Sequence, residues 1–180
     1  MLEWLLNLDG SILLWIQENI RHPVLNLLVI GITTRGNVGI IWILITTGLL
    51  ICSKTRKTGL ICAVALLGSL LNNNMILKNL VARTRPYEVL EDLKALIPPP
   101  VDTSFPSGHT GSSFACAWVL YRRLPKKYGI PAVILATCIA LSRLYVGVHY
   151  PSDVLCGLIS GILISCLAEY CVEKSCVFYG

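Results

Sequence analysis

Two histidines and an aspartate, with a spacing suited to catalysis, stand at the edges of apolar runs. His149 and Asp153 are four positions apart, and His109 lies earlier in the chain. If the chain turns into a helix at Pro151, the carboxylate can reach back to the imidazole, fix its tautomer and stabilise its charged form. The other ring nitrogen of His149 is then free to attack, while His109 can protonate the leaving oxygen. These residues predict nucleophilic catalysis at an imidazole.

Three permanent cations, Lys78, Arg85 and Arg143, accompany the histidines. Two like charges about 4 Å apart repel each other by about 4 kcal/mol at an effective dielectric of about 20. A multiply charged anion reverses that sign, and the guanidinium fork and the lysine point charge both suit phosphate oxygens. The three cations therefore predict a phosphoryl-binding pocket.

The sequence Pro106-Ser107-Gly108-His109 predicts the start of a helix beside this pocket. Proline pre-sets the first helical turn. The amides of Ser107, Gly108 and His109 would point outward from the positive helix end, and Gly108 would let a ligand approach the backbone. Together with the cations they predict phosphoryl transfer through a phosphohistidine. We expect no metal and no other cofactor, because the sequence offers no carboxylate cluster suited to Mg²⁺.

The elements that must position these residues are predicted to be membrane helices. The chain of 180 residues is 54% hydrophobic and 14% charged, against about 25% charged in soluble domains. This composition excludes a disordered chain and argues against a water-soluble domain. Charge-free runs predict six spans, if Arg143 and Asp153 are allowed near helix ends. The spans are 22–35, 37–53, 58–80, 106–122, 129–148 and 151–170.

Residues 1–20 differ from the predicted spans, because apolar side chains recur at helical spacing opposite a polar face. Trp4 and Trp15 suit the level of the headgroups. The segment therefore predicts an amphipathic helix lying in the membrane interface. The predicted fold class is all-α: one domain over 1–180, with this helix, a six-helix transmembrane bundle over 22–170 and an outer loop at 81–105. In that loop, leucines at roughly helical spacing over 87–105 predict a short helix on the outer leaflet.

Basic residues predict the orientation of the bundle, because short cytoplasmic loops carry an excess of Lys and Arg. Two loops, between spans two and three and between spans four and five, carry Lys54, Arg56, Lys57, Arg122, Arg123, Lys126 and Lys127. Both loops and both termini are therefore predicted to be cytoplasmic, which places the catalytic candidates on the outer side. The net charge of +5 is concentrated in these loops. It indicates contact with anionic lipid and no nucleic-acid partner.

The same residues also have interpretations without chemistry. Lys78 could snorkel to the interface, Arg143 and Asp153 could form a structural pair, and the histidines could be packing residues. Their joint occurrence at one depth favours the catalytic interpretation. The three asparagines at 72–74 favour hydrogen bonds between helices. For Arg83, contact with a second phosphate and contact with headgroups are equally open.

Three segments resemble the signature motifs of the type 2 phosphatidic acid phosphatase family. They are Lys78-x6-Arg85-Pro86, Pro106-Ser107-Gly108-His109 and Ser142-Arg143-x5-His149-x3-Asp153. The resemblance covers 78–153 and implies that His149 is the nucleophile, Asp153 its partner and His109 the general acid. It further implies that phosphate is bound by Lys78, Arg85, Ser107, Gly108 and Arg143.

The compact form resembles bacterial members of that family that act on undecaprenyl pyrophosphate or phosphatidylglycerophosphate. The resemblance therefore implies a plasma-membrane lipid phosphatase, with undecaprenyl pyrophosphate as the first candidate substrate. Phosphatidylglycerophosphate and phosphatidic acid are the alternatives. Vanadate-dependent haloperoxidase chemistry is a more distant one. A non-catalytic lipid-phosphate binder or transporter is a rival of another class, since it would keep the cations without needing His109 or His149.

Overall fold

A computed structural model of the chain describes residues 2–35 and 38–177. Within them the chain is all-helical and contains no strand, which agrees with the predicted fold class. The bounds are α1 Leu2–Asn19, α2 Pro23–Ile30, a π-helical segment Gly31–Arg35, α3 Val38–Ile51, α4 Arg56–Ser69, a π-helical segment Leu70–Leu77, α5 Lys78–Val81, α6 Pro86–Val89, α7 Gly108–Arg123, α8 Lys126–Tyr145 and α9 Pro151–Val177.

Each predicted span coincides with a helical stretch of the described chain, although the turn predicted at 35–37 lies mainly outside it. The third span is continuous, because α4 runs through a π-helical segment into α5. Within residues 2–35 and 38–177, three stretches are long and apolar enough to cross a membrane: Arg56–Val89, Lys126–Tyr145 and Pro151–Ser175. Pro23–Thr33 and Gly39–Ile51 are shorter apolar helices. These helices indicate a membrane protein.

Helix α7 lies at the centre of the bundle and contacts α3, α4, α8 and α9. Two glycines of α9 let it approach α7 closely. A Cβ atom on Gly157 would lie 2.7 Å from the carbonyl oxygen of Ser107, and one on Gly161 would lie 2.5 Å from that of Gly111. Small residues permit such close helix contacts in membranes. The contact holds the first turn of α7 against the first turn of α9, where the catalytic candidates lie.

Helix α1 lies against the end of the bundle that carries these candidates. Leu13 is 1% exposed and packs with Leu93 and Tyr150, whereas Trp4 and Trp15 remain exposed. The helix predicted at 1–20 is therefore present, with one face packed on protein. Its place in a membrane interface stays a prediction.

The loop that follows α6 does not form the predicted helix on the outer leaflet. The chain is non-helical from Leu90 to Ser107. Leu93 is only 4% exposed beneath α1, and the amide of Leu96 donates to the carbonyl of Val146 at 3.0 Å. The prediction of a helix here is wrong, because the leucines that suggested an amphipathic surface pack against other parts of the chain instead.

Candidate active site

The structure brings His149 and Asp153 together where the turn after α8 leads into α9. Both side chains are buried, with exposures of 2% and 0%. Nδ1 of His149 lies 3.7 Å from Oδ2 of Asp153, longer than a hydrogen bond but within the range of an ion pair. On the other side of the ring, Nε2 lies 3.5 Å from Nη1 of Arg85. Nε2 is therefore the nitrogen that faces a cation, in the arrangement that the spacing predicts.

The Asp153 carboxylate is held by partners on three sides. Oδ2 accepts hydrogen bonds from the Ser104 hydroxyl at 2.5 Å and from the Tyr150 amide at 2.9 Å. Oδ1 accepts one from Nη1 of Arg83 at 2.7 Å. These donors fix the carboxylate, and through it they limit the orientations that the imidazole can adopt.

Arg83 joins Asp153 to helix α1. Its Nη1 donates to Asp153 and to the Ser152 hydroxyl, both at 2.7 Å, and its Nη2 donates to Oδ2 of Asp9 at 2.8 Å. The guanidinium lies 3.7 Å over the ring of Tyr150. Both interpretations that the sequence left open for Arg83 involved an external anion. In the structure, the guanidinium of Arg83 instead pairs with two buried carboxylates of the chain itself, those of Asp9 and Asp153.

Lys78 and Arg85 meet at Asp102, in the loop before α7. One carboxylate oxygen accepts from Nζ of Lys78, and the other accepts from Nη2 of Arg85 at 2.5 Å. Partial burial raises the pKa of Asp102, but the hydrogen bonds and charges of Lys78 and Arg85 outweigh it and lower the pKa to about 2. The predicted phosphate-binding cations are thus together, with an anion of the chain between them.

Arg143, the third predicted cation, is 3% exposed near the end of α8. Its Nη1 donates to the Thr33 hydroxyl at 2.5 Å, and its Nε has no hydrogen-bond partner among the described residues. Its charged neighbours are Arg85 and Asp102, so it belongs to the same cluster. Within the described chain no ion pair joins Arg143 to Asp153, which removes the structural pair considered from the sequence.

The first turn of α7 differs in detail from the prediction. The helix begins at Gly108 with Ser107 as its N-cap, so Pro106 lies before the first turn instead of within it. The Ser107 amide donates to the carbonyl of Asp153 at 3.1 Å. It is therefore not free for a phosphate, and the hydroxyl is the only donor that Ser107 retains. In the described chain the amides of Gly108 and His109 have no acceptor, and they remain at the positive helix end.

His109 lies in the first turn of α7 and is half-buried. Its titratable neighbours include Arg143, His149 and Lys78, so the structure places it in the same cluster as the nucleophile candidate. Among the described residues, its side chain has no hydrogen-bond partner. The imidazole is thus available to a ligand that enters the site.

A cavity of about 400 Å³ leads away from His109 between α3 and α4. Its walls are mainly apolar, and Asn74 lies at its polar end. The residues that line it include Gly39, Ile43, Leu66, Leu67, Leu70 and Ser112. An apolar cavity that reaches His109, whose titratable neighbours include Lys78 and Arg143, suits a ligand with a hydrocarbon part and a charged head.

The three asparagines at 72–74 have two different roles. The amide of Asn72 donates to the Ser160 hydroxyl at 3.3 Å, and that hydroxyl donates to Oδ1 of Asn73 at 2.5 Å. Hydrogen bonding between helices is therefore confirmed for Asn72 and Asn73. Asn74 instead lies so close to Gly108 that a Cβ atom there would collide with its amide oxygen. A side chain at position 108 would therefore force Asn74 to move, a contact that the sequence reasoning missed.

Comparison with known proteins gives one family. The model of the PAP2 superfamily matches residues 57–175. An undecaprenyl-diphosphatase of Sulfolobus acidocaldarius is 35% identical over 128 residues, which cover 71% of this chain and 62% of that protein. This chain thus spans less than two thirds of that relative. Undecaprenyl-diphosphatase BcrC of Bacillus subtilis is 33% identical over 147 residues, covering 82% of this chain and 75% of BcrC.

A curated relative and a solved structure that are named for another substrate match this chain at similar sequence identity. Phosphatidylglycerophosphatase B of Bacillus subtilis is 33% identical over 169 residues, covering 86% of this chain and 79% of that protein. The crystal structure of a transmembrane PAP2-type phosphatidylglycerolphosphate phosphatase from the same organism has a TM-score of 0.75 at 30% identity, covering 93% of this chain and 86% of that one. The crystal structure of Aquifex aeolicus LpxE has a TM-score of 0.76 at 28% identity, covering 91% and 93%.

Proposed function

The chain belongs to the PAP2 superfamily, its relatives are lipid phosphatases, and from this premise we propose that it hydrolyses a lipid phosphate or pyrophosphate through a phosphohistidine at His149, without a metal. Undecaprenyl pyrophosphate is the first candidate substrate, in line with two relatives. Phosphatidylglycerophosphate is the second, in line with two others. Phosphatidic acid is a third.

One observation carries the proposal: Nε2 of His149 lies 3.5 Å from Arg85, while Nδ1 on the far side of the ring faces Asp153. A neutral imidazole with its proton on Nδ1 presents a lone pair at Nε2 toward the cations that would hold a phosphoryl group. The carboxylate stabilises the positive charge that the ring acquires as the Nε2–phosphorus bond forms. This is the arrangement of an activated nucleophile with its orienting group.

The reaction then has two steps. Nε2 of His149 attacks the phosphorus, the bond between phosphorus and the lipid-side oxygen breaks, and protonated His109 gives its proton to that oxygen. In the second step His109 takes a proton from water, and the water oxygen attacks the phosphohistidine. The nitrogen–phosphorus bond breaks, which releases inorganic phosphate and restores neutral His149. Lys78, Arg85 and Arg143 neutralise the equatorial oxygens in both transition states.

The apolar cavity supports a lipid substrate. It begins at His109, the proposed proton donor, and continues between α3 and α4 along leucine and isoleucine side chains. A lipid whose phosphate lies among the cations could extend its hydrocarbon chain into this space. We propose that the hydrocarbon chain of the lipid enters this cavity laterally from the membrane.

Charge distribution supports an orientation in the plasma membrane. The catalytic candidates lie at one end of the helices. Lys54, which precedes α4, and Arg56, its first residue, lie at the other end. Arg122 in the last turn of α7 and Lys126 at the first residue of α8 lie at that end too. By the positive-inside rule, the basic end is cytoplasmic. We propose six spans, cytoplasmic termini and a site that faces the outer surface.

The proposal is tested by phosphate release from purified protein in detergent with a chelator present, using each candidate lipid in turn. We expect His149→Ala to abolish release and the trapped covalent phosphoenzyme, while inorganic phosphate still raises its unfolding temperature. The matched control is His22→Ala, the same change at an exposed histidine at the start of α2. Turnover by His149→Ala, or turnover of wild type only with added Mg²⁺, would contradict the mechanism.

A non-catalytic lipid-phosphate binder or transporter is the rival from another class. It would use the three cations but would make no covalent bond to His149. In that case wild type releases no phosphate from any lipid, and His149→Ala binds lipid phosphate as wild type does. The same measurements therefore separate an enzyme from a binder.

A further inference from the structure

Asp102 holds the donors that a phosphoryl group would need. Each donor nitrogen of Arg85 is engaged. Nε donates to the carbonyl of Asp102 at 2.7 Å, Nη1 to that of Val148 at 2.7 Å, and Nη2 to the carboxylate of Asp102 at 2.5 Å. The ammonium of Lys78 donates to the second oxygen of the same carboxylate. A phosphate that takes the place of this carboxylate would accept hydrogen bonds from both cations at once.

The carboxylate is the partner that can be exchanged, because the backbone beside it is fixed. The Thr103 hydroxyl donates to the carbonyl of Lys78 at 3.2 Å. The amide of Ser104 donates to the carbonyl of Arg83 at 2.9 Å, and its hydroxyl holds Asp153. The side chain of Asp102, by contrast, is 50% exposed. It can therefore rotate into solvent without disturbing the loop or the catalytic carboxylate.

We propose that Asp102 is a tethered competitor for phosphate, which occupies Lys78 and Arg85 when the site is empty, yields to the substrate and displaces the inorganic phosphate product. The inference rests on the proposed function, since it assigns the same cations to phosphate. A carboxylate carries one negative charge, whereas a phosphate monoester carries about −1.5 to −2 near neutral pH. The substrate wins the exchange through the charge of its head together with the apolar contacts of its hydrocarbon part, which inorganic phosphate lacks. A doubly or triply charged head wins it more readily than a singly charged one.

The same competition explains how the product leaves. Inorganic phosphate among three cations and two helix amides would dissociate slowly, because each contact is charge-assisted. A carboxylate tethered beside the site returns at high effective concentration and takes two of those cations back. Asp102 thus lowers the affinity for phosphoryl groups in general and discriminates by charge between the anions that reach the site.

The test compares Asp102→Asn with wild type as full-length protein in detergent, using inorganic phosphate as the probe. The Kd of phosphate is obtained from the unfolding temperature over a phosphate titration, and its inhibition constant from turnover of a short-chain lipid phosphate. Since the ion pairs of a half-exposed carboxylate are screened by water, we expect phosphate to bind Asp102→Asn about tenfold more tightly, equivalent to about 1.4 kcal/mol. Asp102→Ser serves as a second variant if the first does not fold.

Glu91→Gln is the matched control, because it removes the same charge from an exposed residue of the same loop. We expect its phosphate affinity to equal that of wild type. Unchanged or weaker phosphate binding by the Asp102 variants, or equal tightening in Glu91→Gln, overturns the inference. The titration in the absence of lipid needs no turnover. Tighter binding without any phosphate release would therefore overturn the proposed function alone, and release without tighter binding would overturn this inference alone.

Discussion

Replacing Arg83 by lysine tests how the catalytic carboxylate is positioned. In the structure one guanidinium nitrogen holds Asp153 and the other holds Asp9 on α1. A lysine keeps the positive charge, but its single ammonium cannot hold both carboxylates in the same geometry. We expect kcat to fall while KM changes little, because Arg83 contacts the partner of the proposed nucleophile and not the cations that we propose bind phosphate.

Burial sets the size of this effect. The side chain of Arg83 is 16% exposed and that of Asp153 is 0% exposed, so water screens their interaction only weakly. A hydrogen bond to a charged group contributes about 1.5–3 kcal/mol. If that loss falls on the transition state, kcat decreases by about 10–150-fold. Activity should not vanish, since Ser104 and the Tyr150 amide still hold the other carboxylate oxygen.

Initial rates of phosphate release over a range of substrate concentrations separate kcat from KM. The matched control is Arg123→Lys. Arg123 also joins two carboxylates, Glu169 at 3.1 Å and Glu173 at 2.5 Å, but at the far end of the bundle. We expect this control to keep the kcat of wild type. Wild-type kcat in Arg83→Lys, or an equal loss in both variants, would refute the reasoning.

Three further measurements test the structure. Gly161→Ala should lower stability by about 1–3 kcal/mol, because its Cβ would press on the α7 backbone. Gly48→Ala, with no atom within 4 Å of its Cβ, should not lower it; equal loss in both would contradict the close contact. The pKa of Asp102 is lowered to about 2, so its ion pairs stabilise the fold fully at any pH above the usual carboxyl pKa. This stability is lost as the pH falls from there to about 2. The difference in unfolding temperature between wild type and Asp102→Asn should therefore be constant from about pH 5 to about pH 8, and a shrinking difference would contradict the pairing. Ile43→Trp should narrow the cavity and reduce kcat/KM severalfold for a long-chain lipid phosphate but spare a short one; equal losses on both, or an equal effect of Leu44→Trp, at an exposed residue of the same helix that is not among those lining the cavity, would exclude the cavity as the lipid site.

Residues that bear chemistry in their own side chains could be predicted from the sequence. His149 and Asp153 are four positions apart across the start of α9, so their contact follows from local geometry alone. Lys78, Arg85 and Arg143 stand out because a charge within a membrane segment costs free energy, so charged residues there are rare and tend to be functional. Helices follow from charge-free runs of membrane length for the same reason. None of these features depends on how distant segments of the chain pack together.

Residues that hold the others in place could not be predicted, because their roles depend on contacts between distant segments. Asp9 lies 144 positions before Asp153, and Arg83 links the two only after folding. The outer loop offers four acidic residues, and no spacing distinguishes Asp102 from the other three. Leu93 was misassigned for a related reason: helical spacing of leucines does not tell whether they face lipid or lie beneath another helix.

Arg83 and Arg85 show why the fold of this segment decides the chemistry. The two residues are two positions apart, and in a continuing α-helix they would point about 200° away from each other. Helix α5 instead ends at Val81, and Ala82 adopts a left-handed conformation with φ of 45°. This conformation caps the helix and redirects the chain. Both guanidinium groups then reach the segment 148–153, where Arg83 contacts Asp153 and Arg85 contacts the carbonyl of Val148. Arg83 holds the Asp153 carboxylate beside His149, and Arg85 lies at Nε2, the atom that we propose attacks the phosphorus. In the proposed mechanism, one short non-helical segment thus supplies both the support of His149 and the charge that attracts the substrate, so a change in where α5 ends would disturb both at once.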